Sequence, residues 1–472
     1  MNNFQFVLGP KKIKISTESN YLTVKHGHIL SYDKDLPVIT AQDRTGNQWH
    51  LMGWAFQTNE KLPSPETHIK NIETNMVPQT TKDWGGRWLL IGNDQIYMDF
   101  GGSLGCFYTT IENQFWVSSS VSILKSLYKI NVVEYPDVTH TQGMDFFPGP
   151  YTKYKNILRL LPSQILDFTD RSIKYRPVLS KIEFTSYEDI LDFIQNRLIT
   201  TVKNISSSCE GDVILPLTGG NDSRLILSAL HKAGIKSSTY TFNKPFTNMT
   251  RADKTIPKLL SEEAGLVHSL IERDSYSHER LLNFEKHTAK MTQGIDNTYY
   301  AYGQWDKIPK NSIILRGGVF EVGRCFYYDN LSADFNKAKE SIYTAFNFAT
   351  HHKHSNTHFD SIEEWVNWAS GHPQKNSIDW RDFFYIDQRV GSWLSSIEHG
   401  LDLTGIRRFH VANCHNIISA FLQIPLKYRR TDDPHKKLMK IMSPRLLQYP
   451  INPKDSLVRR GSRRVFKKIF YR

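Results

Sequence analysis

A chain of 472 residues is too long for one ordinary hydrophobic core, so two or three domains are expected. Hydrophobic residues at 39% and charged residues at 22% are those of a soluble globular protein and argue against a disordered chain, and no stretch approaches the roughly 18 apolar residues of a membrane span. The net charge of +12 sits largely in the closing RRGSRRVFKKIFYR, which has no acid, so it does not indicate a nucleic-acid-binding surface across the whole chain.

The first third holds short alternating segments, KIKIST, YLTVKHGHIL, WHLMGWAF, RWLLIG, QIYMDF and FWVSSS, with the turn signals TGN, GND and FGG between them. That pattern predicts a layered antiparallel β domain. A connecting region runs from MDFFPGP through YKNILRLLPSQILDFTDRSIKYRP. From Thr185 the period changes. In TSYEDILDFIQNRLITTVKNI the residues Ile190, Leu191, Ile194, Leu198, Ile199 and Val202 recur at helical intervals, behind a Thr185/Glu188 capping-box spacing. Strand DVILPL, helix SRLILSALHKAG with a closing glycine, strand KSSTYTF, a helix near ADKTIPKLLSEEAGL and strand NSIILRG then alternate. Such alternation predicts a mostly parallel sheet, and after Leu331 the chain reads as mainly helical.

Cys106, Cys209, Cys325 and Cys414 show no CxxC spacing, so neither a zinc knuckle nor a disulfide framework is indicated, and a reducing cytoplasm fits. The opening MNNFQFVLGPKKIKIS lacks a basic region followed by an apolar core, so the chain is expected to be neither secreted nor membrane-spanning.

Chemistry concentrates in LPLTGGNDSRL, residues 215–225, where a strand turns through two glycines into a helix. At the carboxyl end of a parallel strand such a turn offers free N–H groups and the positive end of a helix. Gly219 and Gly220 let a phosphate approach bare backbone, Thr218 and Ser223 add hydroxyls, and Asp222 can hold Mg²⁺ against phosphates. A tight turn that merely caps a helix is the alternative for a GG pair alone. The full TGGNDS resembles the SGGxDS pyrophosphate loop of the ATP pyrophosphatase group of enzymes, and it lacks the spacing and lysine of a GxxxxGK[ST] loop.

The order of the whole chain resembles the asparagine synthetase-like family. GGRWLLIGNDQIYMDFGGSLGCFYTT with FWVSSSVSILKSL is similar to that family's glutaminase-type domain, and YKNILRLLPSQILDF to its interdomain segment. IILRGGVFEVGRCFYYD, SSIEHG and LQIPLKYRRTDDPHKKLMKIM fall where the synthetase domain has its Gly-rich, Ser-x-Glu and closing lysine regions. The resemblance implies a two-domain protein of mixed α/β and α+β class: an N-terminal layered antiparallel β domain, Ntn-hydrolase-like, over residues 1–180, and an ATP-binding synthetase domain over 181–456. The second is a mostly parallel sheet flanked by helices, adenine nucleotide α-hydrolase-like, with a helical C-terminal part. A basic tail, 457–472, follows.

Two departures matter. Glutamine-using members expose a cysteine after Met1, whereas here residue 2 is Asn2, which has no thiolate to release ammonia, so the first domain is expected to be non-hydrolytic. The β-lactam synthetase branch likewise lacks that cysteine and takes an amine on its own substrate. Phe320 stands where the family has an acid before Glu321, and Glu398 is followed by His399 and Gly400, with no arginine.

The resemblance implies an ATP-dependent carbon–nitrogen ligase that adenylates a carboxylate and passes it to ammonia or an amine, with ATP and Mg²⁺ as cofactors. Leu217, Thr218, Gly219, Gly220, Asn221, Asp222 and Ser223 with Gly317 and Gly318 would bind the ATP, with Gly219, Gly220 and Ser223 on pyrophosphate, Asp222 on the metal, and Thr241 and Phe242, within Tyr240 to Asn243, at the adenine. Lys436, with Lys437 adjacent, matches the late catalytic lysine; Glu398 with Tyr327 would form the base pair for the amine, and Glu321 is the remaining carboxylate of the Gly-rich stretch. The substrate is expected to be a small-molecule or glycan carboxylate. Asn2 and Phe320 together favour a second class, a pseudoenzyme that binds nucleotide or a partner. A tRNA-modifying enzyme using the same loop is a third, against which the β-rich first domain stands.

Two further features keep two readings each. HHKHSNTH, with His351, His352, His354 and His358, is a metal-binding tract or a mobile polar loop between helices. The tail interleaves its cations with Leu457, Val458, Val465, Phe466, Ile469 and Phe470, which suits peripheral contact with an anionic inner membrane surface or an acidic polymer, or a solvated terminus.

Overall fold

The computed structural model describes residues 3–60, 65–73, 76–128, 132–134, 147–208, 210–243, 252–272, 277–292, 301–303, 305–346 and 355–453. Among the described residues, twelve strands build the first unit: β1 (Phe6–Gly9), β2 (Ser19–Thr23), β3 (Ile29–Asp33), β4 (Val38–Gln42), β5 (Gln48–Gln57), β6 (Trp84–Gly92), β7 (Gln95–Met98), β8 (Phe107–Ile111), β9 (Gln114–Ser118), β10 (Leu158–Arg159), β11 (Gln164–Asp167) and β12 (Ser172–Tyr175). They form two antiparallel six-stranded sheets in the orders β10-β8-β9-β1-β3-β2 and β12-β11-β7-β6-β5-β4. Side chains alternate across a strand, and RWLLIG shows the consequence. Leu89 and Ile91 join Phe6, Leu8, Leu30 and Val117 between the sheets, while Trp88 and Leu90 pack on the other face with Trp49, Ile69 and Ile72. With both faces covered, β6 is buried throughout, which explains an apolar run without clean alternation. KIKIST, expected as a strand, pairs with none; its Ile13 N–H is satisfied by the Ser31 hydroxyl at 3.0 Å.

The 22-residue helix Tyr187–Ser208 opens the second unit and buries Ile190, Leu191, Ile194, Leu198 and Val202, the predicted stripe. Its cap differs from expectation. Thr185 bonds Asp189, not Glu188, which reaches outward to Lys437 at 3.6 Å. The third sheet is parallel, in the order β15-β14-β13-β16-β17, from β13 (Val213–Pro216), β14 (Ser238–Asn243), β15 (Val267–Glu272), β16 (Ile313–Arg316) and β17 (Arg407–His410). The chain starts in the middle, steps outward through β14 and β15, and resumes on the other side of β13 with β16. The turns after β13 and β16 therefore diverge from adjacent strand ends, where open α/β sheets form a crevice. Three cysteines, Cys106, Cys325 and Cys414, are free and buried, and among the described residues no helix is long and apolar enough to cross a membrane.

Buried charge joins the two units. Arg87 on β6 grips Asp402 with both terminal nitrogens, at 2.6 and 2.7 Å. Arg408 on β17 donates to Asp402 at 2.7 Å and to Glu398 at 2.9 Å. Arg316, the last residue of β16, and His410 meet the other Glu398 oxygen, each at 3.1 Å. Asn3 and Gln5 also donate to Asp402, so the start of the chain is tied to the same point. Arg87, Asp402, Arg408 and Glu398 are all within 2% of full burial. Removing one partner from such a set leaves a bare charge in low dielectric. Arg87→Ala is expected to lower stability in urea unfolding by about 3–5 kcal/mol; a loss no larger than that of a surface arginine would contradict this.

Candidate functional site

The strand β13 ends in Pro216, and Leu217 is pinned from both sides. Its N–H donates to the Tyr240 carbonyl at 2.8 Å and its carbonyl accepts from the Thr241 hydroxyl at 2.7 Å. The chain then turns into the helix Asn221–Ala233, closed by Gly234 at φ 69° as the sequence predicts. Within the turn the Ser223 hydroxyl accepts from the Thr218 N–H at 3.1 Å, and the Thr218 hydroxyl accepts from the Gly220 N–H at 3.2 Å. Gly220 is the N-cap and supplies no capping side chain, so the first-turn N–H groups are left for another acceptor. A Cβ on Gly219 would meet nothing closer than Ile256 at 3.8 Å. The fold itself does not require glycine there; an approaching molecule would.

Gly317 is different. A Cβ on it would come within 2.9 Å of the Asp222 Cβ, so the turns after β13 and β16 touch through a glycine. The same contact assembles charge. Arg324 donates to Asp222 Oδ2 at 2.8 Å, and His435 Nε2 stands 3.7 Å from Asp222 Oδ1. Arg389 donates to Glu321 at 3.4 Å, and the Tyr385 hydroxyl donates to the Gly318 carbonyl at 3.1 Å. Burial outweighs the Arg324 attraction and pushes the Asp222 carboxyl up to about 7. His435, fully buried against Phe421 and Phe320, is pushed down to about 3, chiefly by desolvation, and is neutral. Buried Arg224 secures the turn from below. Its guanidinium donates to the carbonyls of Gly219, Leu446, Tyr449 and Pro450, and the Asn452 N–H donates to Gly219. The segment 446–452 thus straps the turn.

The expected residues divide into those brought to this point and those placed elsewhere. Leu217 to Ser223, Gly317, Gly318 and Glu321 converge. Thr241 is beside Leu217 with its hydroxyl engaged, and Phe242 packs edge-on to Tyr240 next to it. Lys436 is exposed, its ammonium on the Thr431 carbonyl at 3.0 Å, and Lys437 lies over the Tyr187 ring. From the helix Asp433–Met442 it is His435 that reaches Asp222. Glu398 and Tyr327 are not a pair in this structure. Both Glu398 oxygens are taken by arginines and His410; buried as it is, Arg316, His410 and Arg408 hold it well below the carboxylate range, which makes it a weak proton acceptor. Tyr327 is buried among Phe326, Phe346, Phe384 and Tyr385, and burial raises its hydroxyl. Phe320 is wholly buried, as a core residue.

Sequence reasoning passed over Arg324, Arg389, Tyr385 and His435. The only available signal was the density of arginines around the Gly-rich stretch, which acquires meaning once β16 is known to neighbour β13. His358 is not in a loop; it lies in the helix Ser355–Gly371, buried and stacked on Phe147. His351, His352, His354, Asn2 and the tail 457–472 lie outside the described residues.

Among the described residues no cluster of three metal-ligating side chains exists. Asp222 Oδ1, without a hydrogen-bond partner, is the carboxylate oxygen that fits Mg²⁺ at the turn; Asn221 Oδ1 beside it is likewise without one, and phosphates and water would have to complete the shell.

No family model matches the chain, and no curated protein does. Among solved structures, it is similar to the glutamine-dependent NAD+ synthetase from Acinetobacter baumannii in complex with ADP. Identity is 11%, the TM-score 0.21, and 60% of each chain is covered. It is also similar to the glutamine PRPP amidotransferase from B. subtilis complexed with ADP and GMP, at 8% identity and a TM-score of 0.24, covering 68% of this chain and 71% of that one. The match thus spans about 60% of the first structure's length.

Two outcomes follow from the geometry. Gly317→Ala is expected to push the two turns apart and cost about 1–3 kcal/mol in urea unfolding; an unchanged stability would contradict the close approach. Because the folded Asp222 binds its proton up to about pH 7 and an unfolded aspartate only up to about 4, stability from that proton is full below pH 4 and lost as pH rises through 7. Asp222→Asn removes the loss, so its stability relative to the wild type is expected to improve between pH 5 and pH 8. A difference independent of pH would count against the raised carboxyl.

Proposed function

We propose that the chain is an ATP-dependent, AMP- and pyrophosphate-forming carbon–nitrogen ligase without glutaminase activity. The observation that carries this reading is the convergence of the uncapped turn after β13 on the glycine turn after β16, at the point where the strand order reverses. Open backbone N–H groups, a helix start and Arg324 suit linked phosphates there. Adenine lies against the end of β14, at Thr241 and Phe242.

One carboxylate oxygen of the acid attacks the α-phosphorus, the bond to the bridging oxygen breaks, and pyrophosphate leaves into the Thr218–Ser223 turn. The amine nitrogen then bonds the acyl carbon, AMP departs with the C–O electron pair, and the nitrogen gives up a proton. The protein's part is to position the groups and balance their charge. Asp222 is offered to Mg²⁺, which neutralises charge on the phosphates when bound. Glu321 is the carboxylate next to that centre, whereas Glu398 secures Arg316 at the end of β16. The acid is a small-molecule or glycan carboxylate, and the nitrogen comes from ammonia or an amine.

The Asp222–Arg324 ion pair and the apolar Phe320 favour a second reading, a nucleotide-binding protein without turnover. One assay separates them. With ATP, Mg²⁺, hydroxylamine and a panel of carboxylic acids, the ligase is expected to release AMP and pyrophosphate in equal amounts, and Asp222→Ala to slow this about 100-fold. ATP binding with no release from any acid supports the second reading, and release of ADP and phosphate contradicts both.

A further inference from the structure

Besides Arg224 under the turn, Arg316, Arg324 and Arg389 stand near the crevice, and the first two are committed. Arg324 is held by Asp222 and Arg316 by Glu398. Arg389 is held in orientation and makes, among the described residues, a single long ion pair, to Glu321. Its guanidinium carbon lies 3.5 Å from the Trp393 ring centre and 4.9 Å from that of Phe326. Stacking of this kind fixes the plane of a guanidinium while leaving its edges open. Among the described residues its hydrogen bonding ends at Nε, which donates to Glu321 at the long distance of 3.4 Å. Both terminal nitrogens remain, and the side chain is 16% exposed. Phe326 beside it is 37% exposed, a large ring facing outward from an otherwise buried aromatic cluster.

The position is fixed relative to the phosphate turn. Arg389 and Tyr385 ride on one widened, π-type helical segment, Tyr385–Leu394, a departure that often accompanies function. The Tyr385 hydroxyl ties that segment to Gly318, while Glu321 and Arg324 belong to the same short turn, Phe320–Arg324, which reaches Asp222. An anion on Arg389 is therefore one short turn away from the Asp222 centre.

We propose that Arg389 anchors the carboxylate of the acid substrate, and that this acid carries an aromatic or other apolar body lying along Phe326. The proposal rests on the ligase reading and names the class of acid it takes. A planar fork with two free N–H edges matches a carboxylate in shape as well as charge. The exposed ring supplies an apolar surface with no polar group to satisfy. A simple α-amino acid is the poorer fit, because the carboxylate available for its ammonium, Glu321, already faces Arg389.

Binding tests this separately from turnover. Phenylacetate is titrated calorimetrically into the full chain, with phenylacetamide as the neutral counterpart and ATP in parallel. Wild type is expected to bind phenylacetate and not the amide. Arg389→Met and Arg389→Lys, which keeps the charge and loses the fork, should bind phenylacetate at least tenfold more weakly, with ATP affinity and far-ultraviolet circular dichroism unchanged; Phe326→Ala should weaken it severalfold. Absence of phenylacetate binding by the wild type, equal affinity in Arg389→Met, or equal binding of the amide overturns the anchor. Failure of the ligase reading shows itself differently, as no pyrophosphate release with any acid.

Discussion

Asp402 accepts charged hydrogen bonds from arginines of two different sheets, and much of the molecule is arranged around that fact. Its carboxylate holds Arg87 of the first unit and Arg408 of the second, and through Arg408 and Glu398 the chain of charges reaches Arg316, one residue before Gly317. Charges this deeply buried are tolerable only when every member has its partner. The register of the first unit against the parallel sheet is therefore narrowly specified, and so is the end of β16.

Glu398 acquires a different meaning in this setting. A glutamate that reads as a base when taken alone becomes the hub of an ion-pair set, and what it delivers to the site is the position of Arg316. The first unit likewise contributes by fixing geometry. Asn3 and Gln5 are bonded into the interface, and Asn413 bridges Gly86 and Asp99 to the loop after β17. The proposed chemistry is left to the second unit, where a partly buried aspartate, an arginine and open backbone meet between two strand ends.

Much of this was readable from residue order because the signals were local. The 3.6-residue period predicts the helix Tyr187–Ser208, the C-terminal glycine predicts the end of Asn221–Ala233, and the apolar strand before TGG predicts the turn at the carboxyl end of β13. Long-range partners were not readable. Nothing in SSIEHG says that its glutamate faces two arginines and a histidine, since Arg316 and Arg408 come from strands on either side of it in sequence. Nothing in PHKKL says that the histidine turns inward and the lysines outward, although the helical phase against Leu438 and Met439, both buried, accounts for it afterwards. Short strands also escaped. In β17, IRRFH offers two arginines where an apolar run would signal a buried strand, and one of those arginines is buried only because Glu398 and Asp402 await it.

The proposed ligase depends on the turn from Thr218 to Ser223 holding two linked phosphates. A crystal structure of the full chain with Mg²⁺ and an ATP analogue methylated at the α,β bridge tests it most directly. The β- and γ-phosphates are expected against the N–H groups of Gly219 to Ser223, with the Asp222 carboxylate turned toward the ion. A nucleotide bound elsewhere, or a turn still closed on its own hydrogen bonds with the phosphates in solvent, would contradict it.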